Sequence, residues 1–214
     1  MLNSTTTIAS MIATLIWASA ASAGGRAGQF DYYVLALSWS PSWCATTGDK
    51  SKADQCDPRH DYGFVLHGLW PQYERGWPSY CPTAKAPPNR QMTREMVDIM
   101  GSSGLAWHQW NKHGTCTGLS ASAYFAKMRA AFNQIQKPEV LRRVEKPITL
   151  PATVVEAAFL EANPALKPDE VTVTCNRGYF QEVRICLTKD LQPRRCGSDV
   201  IRDCRQRVTF PPVR

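Results

Sequence analysis

Eight cysteines in a chain of 214 residues limit how it can fold more than any other feature. They are Cys44, Cys56, Cys81, Cys116, Cys175, Cys186, Cys196 and Cys204. The count is even and no two form a C-x-x-C pair, so the spacing favours disulfides over a zinc site. Structural disulfides need an oxidising compartment. The N-terminus offers a route there: "IASMIATLIWASA" is an apolar run followed by the small residues Ala21, Ser22 and Ala23. Residues 1–23 are read as a signal peptide cut between Ala23 and Gly24, although the "MLNSTTT" before the run carries no Lys or Arg. The apolar run is too short for a comfortable membrane span, so no span is expected after cleavage.

Residues 24–214 then form one domain, a length sufficient for a substantial core. No repeat or long linker divides it, and "CPTAKAPPNR" (81–90) reads as a loop. The sequon Asn3-Ser4-Thr5 falls inside the expected signal peptide, which favours a periplasmic over a eukaryotic secretory setting. Secreted or periplasmic is the expected location. The formal net charge is +7, none of it from residues 1–23. A basic balance suits an acidic partner such as nucleic acid, an anionic membrane or a polyanionic sugar, but it also suits plain solubility. The stretch 187–214 is rich in Arg without amphipathic spacing.

Residues 30–39 and 62–70 read as strands, the second broken by Gly68. Residues 93–100 have helical spacing. Residues 120–136 form a helix with Ser120 as N-cap and Pro138 beyond its end. Residues 151–162 form a helix with Pro151 at its first position. Residues 170–175 and 179–188 alternate as strands. Strands, then helices, then strands argue for an α+β fold.

The four histidines all lie between residues 60 and 113. His60, beside Asp61 in a polar loop, reads as an ordinary surface residue. The others fall in "HGLWPQ" (67–72) and "WHQWNKHGTC" (107–116). On a helix, His108, Lys112, Gln109 and His113 project at about 0°, 40°, 100° and 140°, one continuous arc. Trp107 and Trp110 then point away and can bury, Gly114 lets the helix end, and Cys116 can staple that end. Burying two imidazoles and an ammonium together is costly unless they are paired, so a cleft explains the cluster better than a core. A cation among the would-be ligands and the lack of H-E-x-x-H spacing argue against a metal. There is no G-x-S-x-G elbow for a serine nucleophile, and the cysteines are better used in disulfides. A phosphodiester fits. It calls for cations around its oxygens, a base and an acid, and imidazole can be either. RNA brings its own nucleophile, the 2′-hydroxyl.

"FVLHGLWPQ" (64–72) and "HQWNKHGTC" (108–116) resemble the two active-site segments of the ribonuclease T2 family, the secreted acid endoribonucleases. The first agrees with F-x-x-H-G-L-W-P throughout. The second agrees with H-E-W-x-K-H-G-T-C at all but one position. "LALSWSPSWC" (35–44) and the C-terminal cysteine-bearing strands extend the likeness more weakly. The resemblance implies cleavage of single-stranded RNA to 2′,3′-cyclic phosphate ends, followed by slower hydrolysis, with no metal or other cofactor. It implies His113 as general base and His67 as general acid, His108 and Lys112 on the phosphate, and Trp70 stacked on a base. It also implies an antiparallel sheet carrying the cleft with helices around it. The implied disulfides are Cys81–Cys116, Cys175–Cys204 and Cys186–Cys196, leaving Cys44–Cys56. A monomer inert toward DNA is expected.

Gln109 is the departure, standing where the family usually has Glu. It is counted with His67 and His113 in the catalytic set, since an amide keeps the shape and can donate but carries no charge. Activity is expected to survive. The competing reading is a non-catalytic RNA- or polyanion-binding protein of the same fold. Base preference is not legible, and "QYERGW" (72–77) is only a candidate wall of the base pocket.

Overall fold

In chain order the elements are β1 (Tyr32–Trp39), α1 (Ser40–Trp43), β2 (Phe64–Gln72), α2 (Arg90–Arg94), α3 (Val97–Met100), α4 (Ser103–Lys112), α5 (Ala121–Gln134), α6 (Glu139–Arg142), β3 (Ile148–Pro151), α7 (Ala152–Ala162), β4 (Val171–Asn176), β5 (Tyr179–Leu187) and β6 (Arg207–Phe210). They come from a computed structural model that describes residues 25–214. The expected signal peptide lies outside the described residues. No helix among the described residues is long and apolar enough to cross a membrane.

β1 is central and almost wholly buried. It pairs antiparallel with β2 on one side and β5 on the other, and β4 pairs antiparallel with β5. β3 and β6 form a further antiparallel pair. Successive side chains on a strand alternate between faces. Leu35, Leu37 and Trp39 of β1 therefore enter the main core, with Trp110 of α4, Tyr124 and Met128 of α5, and Val155 and Phe159 of α7. Full burial of a side chain such as Phe159 contributes about 1.5–3 kcal/mol. Tyr32 and Val34 face the other way and pack with Cys186, Cys196 and Trp70. That second face carries the cleft.

The fold is α+β in a single domain, but its sheet is mixed rather than antiparallel. β6 runs parallel to the start of β5 through Tyr179 and Thr209. A parallel return needs a long connection, and residues 188–206 provide it. Cys186–Cys196 and Cys175–Cys204 pin that excursion to β5 and β4, while Cys44–Cys56 and Cys81–Cys116 close the other two disulfides.

Three local expectations change, and the Arg-rich stretch gains partners. β2 runs through Gly68 without a break, to Gln72. Residues 93–100 fall in two short helices, α2 and α3, and the freed carbonyl of Glu95 between them accepts from the Arg129 guanidinium. Pro151 is the N-cap of α7, not its first residue, because it still pairs with Arg207 in the sheet. The Arg-rich C-terminal stretch is largely engaged on the surface: Arg194 with Glu74, Arg214 with Asp49, and Arg207 with the Thr149 carbonyl. Ser120 does cap α5, accepting from the Ala123 N–H.

Two irregularities of the sheet shape the cleft face. Ala36 of β1 pairs with Gly68, but Leu37 pairs with Leu66, so His67 is an extra residue in β2. Thr174 of β4 pairs with Glu182, but Cys175 pairs with Phe180, so Gln181 is an extra residue in β5. Bulges of this kind re-aim side chains. Leu66 and Leu69 both reach the core although three residues apart, and so do Phe180 and Val183. The residues between them, including His67 and Glu182, are released from core packing.

Candidate active site

α4 starts at the N-cap Ser102, whose hydroxyl accepts from the Leu105 N–H. Its core ridge is Ala106 and Trp110, four residues apart. Trp107 lies one step round from that ridge and is exposed, contrary to the expectation that both tryptophans bury. The helix ends at Lys112, and His113 is its C-cap. Gly114 is needed for space rather than for a left-handed turn: a Cβ there would press on the rings of Trp110 and Tyr124. The Lys112 carbonyl, left free at the helix end, accepts from the Tyr80 N–H at 2.9 Å. Cys81–Cys116 locks the same junction beside it.

A cleft of about 270 Å³ lies between this helix end and the sheet, lined by His67, Trp70, His108, Gln109, Lys112 and His113. All six residues named from the two sequence strings therefore border one space. His60 does not; it sits on the surface within 3.3 Å of Asp54 and against Tyr62.

Trp70 is the seam. His113 stacks on it with centroids 5.5 Å apart, and His67 meets it edge-on at 5.1 Å. The Arg184 guanidinium lies 5.2 Å from the indole centre. The indole N–H donates to Gln109 Oε1 at 2.8 Å. Trp70 thus lies between the two imidazoles. The more exposed Trp77 also lines the cleft, from the 72–77 segment. Gly68 has no alternative at its position, because a Cβ would overlap both Gln109 Oε1 and Trp70 Nε1.

Gln109 is fully buried. An indole nitrogen can only donate, so the bond from Trp70 fixes the carbonyl end of the amide and turns its NH₂ away from that contact. His113 is 5 % exposed, and its Nδ1 is sealed without a partner. Nε2 is not among the sealed atoms, which leaves it as the nitrogen facing the cleft. Burial first, then the charges of Lys112, His67 and His108, push the His113 pKa down to about 3. Burial and Lys112 also lower that of His108.

His67 is held differently. Its Nδ1 lies 2.5 Å from Glu182 Oε1. Glu182 is 1 % exposed, and Arg184 binds its other oxygen through Nε and Nη2 at 3.0 and 2.9 Å. Burial works to raise the Glu182 pKa, but the bond and charge of His67, with those of Arg184, outweigh it and hold the carboxyl at about 2. Glu182 is the site residue that sequence reasoning missed. The available signal was an acid and a base two apart, Glu182 and Arg184, in an otherwise largely apolar strand.

A second hollow, of about 220 Å³, adjoins the other side of His67 and Glu182, with Trp43, Gln55 and Tyr179 in its walls. The one metal-sized grouping among the described residues is Cys44, Asp49 and Cys56, and its two sulfurs are already joined to each other.

A family model described as the Ribonuclease T2 family matches residues 30–196. The chain belongs to the ribonuclease T2 family. A protein named "Ribonuclease" from Aeromonas hydrophila is 50 % identical over 104 residues, covering 49 % of this chain and 46 % of that one. A "Probable ribonuclease" from Haemophilus influenzae is 31 % identical over 181 residues, covering 78 % of this chain and 61 % of its own length. The chain thus spans between about half and three-fifths of these relatives. Among solved structures, the RNase-related protein from Calystegia sepium superposes with a TM-score of 0.67 at 23 % identity, covering 87 % of this chain and 99 % of that one, a likeness of fold.

Proposed function

We propose that the protein is a metal-independent endoribonuclease that cleaves single-stranded RNA by transphosphorylation, with His113 as base and His67 as acid. The observation that carries this reading is the cleft in which the two imidazoles flank one indole, each in a different electrostatic setting.

His113 Nε2 takes the proton of the 2′-hydroxyl, and the 2′-oxygen attacks phosphorus. The bond from phosphorus to the 5′-oxygen breaks as that oxygen takes a proton from His67 Nε2. The products are a 2′,3′-cyclic phosphate and a free 5′-hydroxyl; water then opens the ring more slowly. Lys112 and His108 hold the phosphoryl oxygens as charge builds on them. DNA lacks the 2′-hydroxyl and cannot follow this route. A base held near pKa 3 is unprotonated at neutral pH but intrinsically weak. A bound phosphodiester supplies the anion that this group of cations lacks, and so strengthens the base. The two hollows meeting at His67 suit a substrate with a nucleoside on each side of the scissile phosphate.

A secreted or periplasmic monomer is the setting we propose, following the signal-like residues 1–23 and the four disulfides. The non-catalytic alternative draws on Gln109, whose carbonyl is committed to Trp70 and which brings no charge. Digestion of RNA by the purified protein in excess chelator, with analysis of end groups, separates the two. Cyclic-ended fragments that vanish with His113→Ala are expected; a protein that binds RNA and leaves it intact would establish the alternative.

A further inference from the structure

Glu182 is almost wholly buried, and its carboxylate is taken up by protein partners. Oε1 accepts from His67 Nδ1 and from the Ser38 hydroxyl, the latter at 3.0 Å. Oε2 accepts twice from Arg184. A carboxylate offers about four acceptor positions, and all of them are used. Fully buried and held ionised near pKa 2, Glu182 neither gives nor takes a proton at working pH.

Fold stability alone is a poor reason to keep such a group. A buried ion pair often contributes no more than well-packed apolar side chains of the same volume. The backbone is also arranged to present it. Were Gln181 part of a regularly alternating strand, Glu182 would share a face with Phe180 and enter the main core. In β2 the bulge leaves His67 itself without a partner on β1, while Leu66 and Leu69 on either side keep to the core. The two bulges, on strands flanking β1, bring these side chains together on the cleft face beside Ser38.

We propose that Glu182 is a positioning residue: it accepts from His67 Nδ1–H, turns Nε2 toward the cleft and supplies the counter-charge of the doubly protonated ring, whose Nε2 proton goes to the leaving oxygen, so that the proton-donor role falls to His67 rather than His113. This rests on the ribonuclease reading of the cleft. An ionised carboxylate can only accept, so the imidazole must present N–H to it. The same carboxylate gives the imidazolium a buried counter-charge. His113 has nothing equivalent, since its Nδ1 is sealed without a partner. The site's carboxylate therefore stands behind the acid on the sheet, while the helix that ends at the base carries the neutral Gln109.

Two substrates test this. A dinucleoside monophosphate expels an alkoxide that needs a proton; uridine 3′-(4-nitrophenyl phosphate) expels a phenolate that does not. Glu182→Ala is expected to lower kcat on the dinucleotide by about 10–100-fold, as for carboxylates that orient metal-bound histidines. On the aryl ester the loss is expected to stay within about threefold, with KM little changed on either. Glu182→Gln, which keeps shape and an acceptor oxygen, is expected to fold normally and to fall between the parent and Glu182→Ala. Nitrogen-15 shifts of the neutral His67 ring are expected to report protonation at Nδ1 in the parent. Equal losses on both substrates, no loss on either, or a parent His67 protonated at Nε2 would overturn the assignment. A parent that cleaves neither substrate would instead overturn the ribonuclease reading, and the nitrogen shifts would still decide the tautomer.

Discussion

The helix side and the sheet side of the cleft treat the same side chain in opposite ways. His113 caps α4, almost wholly buried, with no partner on Nδ1 and with Lys112 and two further imidazoles nearby. His67 stands on a bulge of β2, with about a third of its side chain exposed and Nδ1 tied to a buried carboxylate. One environment keeps an imidazole neutral; the other offers an imidazolium a counter-charge. Two chemically identical groups can then serve as base and acid at one pH because their surroundings differ. On the proposed assignment, the division of labour lies in the supporting residues, not in the histidines themselves.

The largest effect expected is from deleting either imidazole. His67→Ala and His113→Ala should each lower RNA cleavage by about 10²–10⁴-fold, measured under single-turnover conditions. Retention of a tenth of the parent rate by either variant breaks the comparison at its root. Gly68→Ala comes next, since it attacks the seam between the two sides. The new Cβ would overlap Gln109 and Trp70. A loss of about 1–3 kcal/mol in stability is expected for overpacking of this kind, read from the denaturant midpoint, with a fall in cleavage rate. An unchanged midpoint and rate would mean that the seam is not rigid.

Acid should weaken the fold through the helix side in a defined window. The folded-state pKa of His113 is about 3, against an ordinary value of 6.5. Between these values the unfolded chain holds a proton that the folded protein lacks, so stability rises with pH. The contribution is complete above about pH 6.5 and declines as pH falls toward 3. His113→Asn should flatten that slope in equilibrium unfolding across the window. Glu182 adds to the loss lower down, between its ordinary 4.5 and about 2. A slope identical in parent and variant would show that His113 is not held neutral.

The smallest effect expected concerns Gln109. Glu at this position would place a charge near His113 and raise its pKa, moving the acid limb of kcat/KM upward while changing the neutral-pH rate by less than about tenfold. A stationary limb would remove electrostatics from the explanation of this position. The substrate anion should act in the same sense, so in the parent the acid limb of kcat should lie at higher pH than that of kcat/KM.

Much of this was legible in the sequence, and what was not has a physical cause. β1 was legible from its run of aromatic and β-branched residues, and α5 from its flanks, Ser120 as cap and Pro138 beyond its end. The two histidine strings stood out because crowded polar groups among tryptophans are hard to bury. The bulges were invisible, since an extra residue is defined only against a partner strand. For the same reason Gly68 looked like a strand break rather than the space that Gln109 and Trp70 require. Glu182 is separated from His67 by 115 positions and gains its meaning only when β5 pairs with β1. Trp107 was misjudged because a helical arc gives direction, not depth.

The most direct test of the central claim is the leaving-group dependence of the two deletions. Cleavage of a dinucleotide and of its nitrophenyl counterpart would be compared for His67→Ala and His113→Ala. The expected result is that the activated ester restores most of the rate to His67→Ala and little to His113→Ala. Equal restoration in both, or the reverse order, would contradict the assignment of acid to the sheet and base to the helix.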